Sequence, residues 1–144
     1  MGDFIAYHDV MPIITETVRT HHRNELVEIT DRVQAIVSKA KVADGFAIIH
    51  CPHTTAAVTI NENADSGVKH DLLKKLSELI PKDESYYRHG EGNSDSHVKT
   101  SLVGNSVTVL IDAGQLVLGR WQGIYFCEFD GPREREVRVK VVEG

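Results

Sequence analysis

The chain has 144 residues, 41% of them hydrophobic, and a formal net charge of −5, enough apolar material for the core of a single domain. The acidic balance excludes a binder of nucleic-acid backbones, which needs a basic face, and no apolar run reaches the ~20 residues of a membrane-spanning helix. The start, Met1-Gly2-Asp3-Phe4-Ile5-Ala6, carries neither a secretion leader nor a myristoylation motif, and Cys51 and Cys127 are too few for a disulfide framework, so a cytoplasmic protein is expected.

Residues 3–8 and 25–29 read as short strands. Thr30 is placed as the N-cap of a helix whose Val33, Ile36, Val37 and Ala40 recur at helical spacing, with Gly45 as its C-terminal stop. Residues 46–51 form a compact apolar strand, and residues 56–61 alternate as a second one. A helix over 65–80 carries Val68, Leu72, Leu76, Leu79 and Ile80 on one face and ends at Pro81. A long polar loop over 82–93 contains Gly90 and Gly92, a length usually reserved for function or disorder. Ser94 or Asp95 then caps a short helix that Gly104 terminates. The C-terminal third reads as strands over 106–111, 116–118, 121–129 and 133–142, with turns at Asp112-Ala113-Gly114 and Asp130-Gly131-Pro132. The order predicts an α+β fold: one domain over 1–144, a large, mostly antiparallel sheet or sandwich-like core, two main helices and one short one.

Three histidines stand in polar settings. His89 and His97 bracket the loop His-Gly-Glu-Gly-Asn-Ser-Asp-Ser-His, and His53 follows a strand in Cys-Pro-His-Thr-Thr. Three neutral imidazoles on a rigid scaffold suit a Zn-like divalent ion with an open coordination position; alone, each is an ordinary loop histidine. Thr54 and Thr55 supply hydroxyls beside His53. The run Asn61-Glu62-Asn63-Ala64-Asp65 holds more side-chain oxygens than one helix cap needs, so Glu62 or Asp65 is a candidate general base. Glu128 shares a strand face with Gln122, Ile124 and Phe126, where a carboxylate must be paired. It is either a salt bridge to Arg133 or Arg135, or an acid tuned for proton transfer. Trp121 is a core residue or a stacking platform. The helix opening at Ser94, with Asn93, Lys99 and Arg133, could form an anion pocket.

Together these segments resemble the YjbQ family of secondary thiamine-phosphate synthases. The resemblance rests on His53-Thr54-Thr55-Ala56-Ala57, Thr59 through Asp65, His89 with Gly92-Asn93 through Lys99, and Ser106 through Gly114, Gly119 and Trp121-Gln122-Gly123-Ile124. It implies an α+β homotrimer with a metal site at His53, His89 and His97. The implied side activity condenses a pyrimidine pyrophosphate with a thiazole phosphate, giving thiamine phosphate and pyrophosphate. On this reading Glu62, Asp65 or Glu128 handles protons, while Thr54, Thr55, Asn63, Asn93, Ser94, Lys99, Trp121, Gln122 and Arg133 contact a small phosphorylated metabolite. The ion is Zn²⁺, or Mg²⁺ for pyrophosphate chemistry. The alternatives are a metal-dependent hydrolase of a phosphoester or amide, and a non-catalytic trimeric module that binds a metabolite or metal.

Overall fold

A computed structural model describes residues 11–144; the strand expected over 3–8 lies outside them. Eight strands and three helices follow in the order β1 (Ile14–Arg19), β2 (Glu25–Glu28), α1 (Thr30–Ala40), β3 (Gly45–His50), β4 (Ala56–Glu62), α2 (Ser66–Leu79), α3 (Ser94–Val103), β5 (Ser106–Asp112), β6 (Gln115–Leu116), β7 (Gln122–Glu128) and β8 (Glu134–Glu143). The α+β class is as the sequence predicts, and the strands divide between two sheets. One has the order β1-β8-β3-β5-β6 and the other β2-β7-β4, with antiparallel pairing throughout both.

The two-residue period of β7 explains the layering. Ile124 and Phe126 point into the main core with Val18, Ala47, Ile49, Val58, Val109, Val137 and Val139. Tyr125 and Cys127 point the other way, where Leu26, Ala57 and Phe129 meet Leu72, Leu73 and Leu76 of α2. Each valine, isoleucine or phenylalanine fully buried here contributes roughly 1.5–3 kcal/mol. From α1, Val33, Ile36 and Val37 enter the core at the predicted spacing. Cys51 and Cys127 are unpaired and buried; burial pushes the Cys51 thiol up to about 11 and the Cys127 thiol higher still.

Several local expectations are corrected. The strand β1, unanticipated, is amphipathic only weakly, with Val18 its one buried residue. Thr30 is the first helical residue of α1, not its cap. Its hydroxyl accepts from the Ile124 amide (2.8 Å) and donates to Glu28 (3.0 Å), tying the helix start to β7. The helix stops at Lys41, which takes the left-handed conformation (φ 56°). Gly45 belongs to β3, where a Cβ would overlap the Val142 carbonyl of the paired strand β8. In β3 the inward residues are Ala47 and Ile49, so Phe46, Ile48 and His50 are only partly covered. Asp65 does cap α2, accepting from the Gly67 amide at 2.8 Å, but Leu79 is 61% exposed and no residue of that helix is fully buried.

The close approach at Gly45 makes a stability prediction. Gly45→Ala should cost roughly 1–3 kcal/mol by overpacking the β3–β8 contact, read as a lower urea midpoint at unchanged slope; an unchanged midpoint would contradict it.

Candidate functional site

The β3–β4 connection delivers His53 and Thr54, and one face of α3 delivers His97, Thr100 and Ser101. The helical spacing i, i+3, i+4 makes those three neighbours. With Gly104 and Asn105 they line one cleft of about 410 Å³, within the size range of small-molecule sites. His89 stands beside it, its ring edge-on to His97 with centroids 5.1 Å apart. A larger, mostly apolar hollow of about 540 Å³ between β1, α1 and β8 is lined by no imidazole among the described residues.

Two buried charge networks hold the cleft's halves. Glu128 and Arg135 are 0% and 3% exposed. The Arg135 Nε donates to both Glu128 oxygens at 2.9 and 3.1 Å, and its terminal nitrogen donates at 2.5 Å. The same terminal nitrogen reaches the Thr55 hydroxyl at 2.9 Å and the Thr55 carbonyl at 3.3 Å. Glu128 also accepts from the Thr20 hydroxyl (2.8 Å) and the Asp130 amide (3.1 Å). Gly131 permits this crowding, since a Cβ there would lie 2.8 Å from both Glu128 Cγ and Thr20 Oγ1.

The second network anchors α3. Asp95, fully buried, accepts from two Arg23 nitrogens at 2.9 and 3.0 Å, with the buried Lys99 ammonium 3.5 Å away. Lys99 also donates to Asn24 at 3.1 Å. The Ser96 hydroxyl donates to the Phe129 carbonyl at 2.5 Å, and the Asn93 amide donates to Asp130 at 2.8 Å. Burial alone would raise the Asp95 carboxyl, but the Arg23 hydrogen bonds and the nearby positive charges outweigh it and hold it below its usual 3.8. Burial lowers the Lys99 ammonium. Burial, then the Arg135 charge, likewise lowers the His53 imidazole.

Of the residues singled out in the sequence, the structure gathers His53, Thr54 and His97 in the cleft with His89 at its edge. Thr55, Asn93, Lys99 and Glu128 belong to the networks behind it. Ser94 opens α3. Arg133 bonds Asp130 at 3.1 Å. Glu62, Asn63, Asp65, Trp121 and Gln122 gather elsewhere. Glu62 ends β4, whose seven residues span roughly 20 Å at ~3.3 Å each from the His53 loop. There the Asn63 amide nitrogen donates to the Trp121 carbonyl (2.9 Å), its side chain reaches Glu28 (3.1 Å), and Gln122 accepts from the Gly119 amide (2.8 Å). Trp121 is 53% exposed, with Arg120 stacked on it at 4.9 Å. Sequence reasoning missed Thr100, Ser101 and Asn105, although the helical spacing from His97 could have found the first two. It also missed Arg23 and the burial of Asp95.

The three imidazoles suit a metal by donor chemistry but not by placement. Among the described residues, no three His, Cys, Asp or Glu side chains come together closely enough to hold an ion. The His53 Nε2 is engaged by the Glu136 amide at 3.0 Å.

Fold and cleft define an α+β protein with a polar, imidazole-bearing cleft of small-molecule size. Residues 14–144 match the family model described as UPF0047 protein YjbQ-like, and the chain belongs to that family. It is 55% identical over 125 residues to a UPF0047 protein of Methanocaldococcus jannaschii (87% of this chain, 90% of the relative). It is 48% identical over 128 residues to YugU of Bacillus subtilis (89% and 97%). A crystal structure of a YjbQ/UPF0047 protein from Clostridium acetobutylicum superposes with a TM-score of 0.88 at 48% identity, covering 90% of this chain and 99% of that one. A YbjQ-like protein from Sulfolobus solfataricus also gives 0.88, at 33% identity over 93% and 98%.

The α3 anchor generates a pH prediction. A carboxyl whose folded pKa lies below its unfolded value stabilises fully above the unfolded value and loses that contribution as pH falls through the folded one. Asp95→Asn should cost roughly 3 kcal/mol at neutral pH by leaving Arg23 and Lys99 without their anion. It should also flatten the loss of stability below about pH 3.8. Urea unfolding followed by circular dichroism from pH 7 to 2 checks both; parallel wild-type and variant curves would refute the assignment.

Proposed function

We propose that the chain is an enzyme acting on small phosphorylated metabolites in the His53–His97 cleft, with an activity like that of secondary thiamine-phosphate synthases. The observation that supports this most is the convergence of two imidazoles and three hydroxyl side chains, from two separate elements, on one cleft that no carboxylate of the described residues lines. Hydroxyls and imidazole N–H groups are donors suited to phosphoryl oxygens. In the condensation, a bond forms from the thiazole nitrogen to the pyrimidine's methylene carbon as the bond from that carbon to pyrophosphate oxygen breaks. The cleft's donors would stabilise the departing anion, and a protonated His97 would hand its proton to the departing pyrophosphate oxygen.

Glu128 serves this reading through the loop it anchors. Glu62 and Asp65 would reach a cleft only from a second copy, consistent with a homotrimer. Exposed Val98, Leu102, Leu110 and Val117 offer apolar surface for such self-association. The proposal includes a cytoplasmic setting, with which two buried, unbridged thiols are in keeping. A Zn²⁺ or Mg²⁺ dependence enters as a quantity to be measured.

Purified protein given the pyrimidine pyrophosphate and the thiazole phosphate should release thiamine phosphate and pyrophosphate. His97→Ala should lower the rate about 100-fold or more with its urea midpoint kept. Elemental analysis alongside decides the metal dependence. Hydrolysis of a phosphoester panel without condensation would select the hydrolase reading, and no turnover with retained metabolite binding would select the non-catalytic module.

A further inference from the structure

We propose that His53 serves the cleft as a neutral Nδ1–H donor to a ligand oxyanion rather than as a metal ligand, with the Glu136 amide and the Arg135–Thr55 contact as its positioning groups. The inference rests on the reading that the cleft receives a phosphorylated molecule, and it names how one residue would grip it.

A backbone N–H can only donate. The Glu136 amide lies 3.0 Å from His53 Nε2, so that nitrogen spends its lone pair there and carries no proton. In the neutral ring the proton then sits on Nδ1, which meets no protein acceptor among the described residues while the ring lines the cleft. A metal ion needs a free lone pair, and Nε2 has none to give without breaking a backbone hydrogen bond near the start of β8. The ring is not loosely held. Two residues along, Thr55 is gripped at its carbonyl and its hydroxyl by Arg135, which is locked to Glu128. Arg135 and Glu136 are consecutive in β8, so one strand fixes both the loop and the ring that it carries.

The ligand class follows from what lines the cleft. Among the described residues no carboxylate lines the cleft, so a cation would find only more distant counter-charges there. A phosphate presents several acceptor oxygens and can take the His53 Nδ1–H together with the Thr54 and Ser101 hydroxyls. Thr100 adds weight: it is 8% exposed and lines the cleft, yet its hydroxyl has no hydrogen-bond partner among the described residues. A buried hydroxyl left unpaired is costly and rare. A helical threonine uses two χ1 rotamers, so rotation lets a ligand oxygen satisfy it.

Long-range ¹H–¹⁵N correlation of the histidine rings tests this on the full chain. His53 should show a protonated Nδ1 and an unprotonated Nε2 without any ligand, unchanged by one equivalent of Zn²⁺. Inorganic phosphate should move the His53 ring and the Thr100 amide. His53→Asn, whose amide N–H₂ takes the place of Nδ1–H, should keep phosphate affinity within about threefold, whereas His53→Ala should lose roughly tenfold. A protonated Nε2, or Zn²⁺ shifting the His53 nitrogens into coordination, would overturn the inference and leave the phosphorylated-ligand reading standing. Equal phosphate affinity in the Ala variant would do the same. Phosphate that leaves the wild-type cleft unmoved would overturn both. If the variants fail to fold, the wild-type tautomer still decides.

Discussion

The Glu128–Arg135 ion pair is the constraint on which the rest of the structure depends. Both groups are removed from water, and such a pair is tolerable only when nearly every lone pair and N–H is used. Here the carboxylate takes the guanidinium, the Thr20 hydroxyl and the Asp130 amide, and the guanidinium's remaining reach goes to Thr55. The pair spans the point where β7 leaves the three-stranded sheet and β8 enters the five-stranded one. Pairing charges across that corner fixes how the sheets meet, and with them the end of β1, the start of β4 and the histidine loop between β3 and β4.

A second consequence runs through the residues between the two charges. The corner offers the Phe129 carbonyl to Ser96 and the Asp130 carboxylate to Asn93, both at the first turn of α3. The helix that carries His97 is thus docked on the same corner that holds His53. Arg23, reaching from the segment after β1, closes the arrangement through Asp95. A cleft built this way is preorganised: its two imidazoles sit on elements whose separation is set by buried, directional bonds and not by loop packing.

Much of this was legible in the sequence because it obeys local periodicity. The strand alternation of β4, β5 and β8, the Val33–Ile36–Val37 stripe and the Asp65 cap all follow from residue type and spacing. What was hidden depends on partners far along the chain. β1 escaped notice because Ile-Thr-Glu-Thr-Val-Arg buries a single valine, and its pairing with β8 is what makes it a strand. Asp95 reads as a possible cap of α3 and Lys99 as part of an anion pocket, and only Arg23, 72 residues away, makes the burial of Asp95 tolerable. Between the expected large sheet and sandwich-like core, the structure takes two sheets, and β7 shows why: both its faces are apolar, as a strand between two cores requires. Glu62 and Glu128 looked equivalent as candidate acids; register places them at opposite ends of paired strands.

The buried thiols give the molecule a built-in clock for its own opening. Cys51 and Cys127 lie on the two strand layers that meet at the charged corner, and burial disfavours the thiolate at both. An alkylating reagent attacks only the thiolate and only where it can reach. Modification of Cys51 therefore waits for the main core to open, and that of Cys127 for α2 to lift from the three-stranded sheet. Cys127, in the cluster beneath α2, and Cys51, in the main core, time the release of the two layers separately.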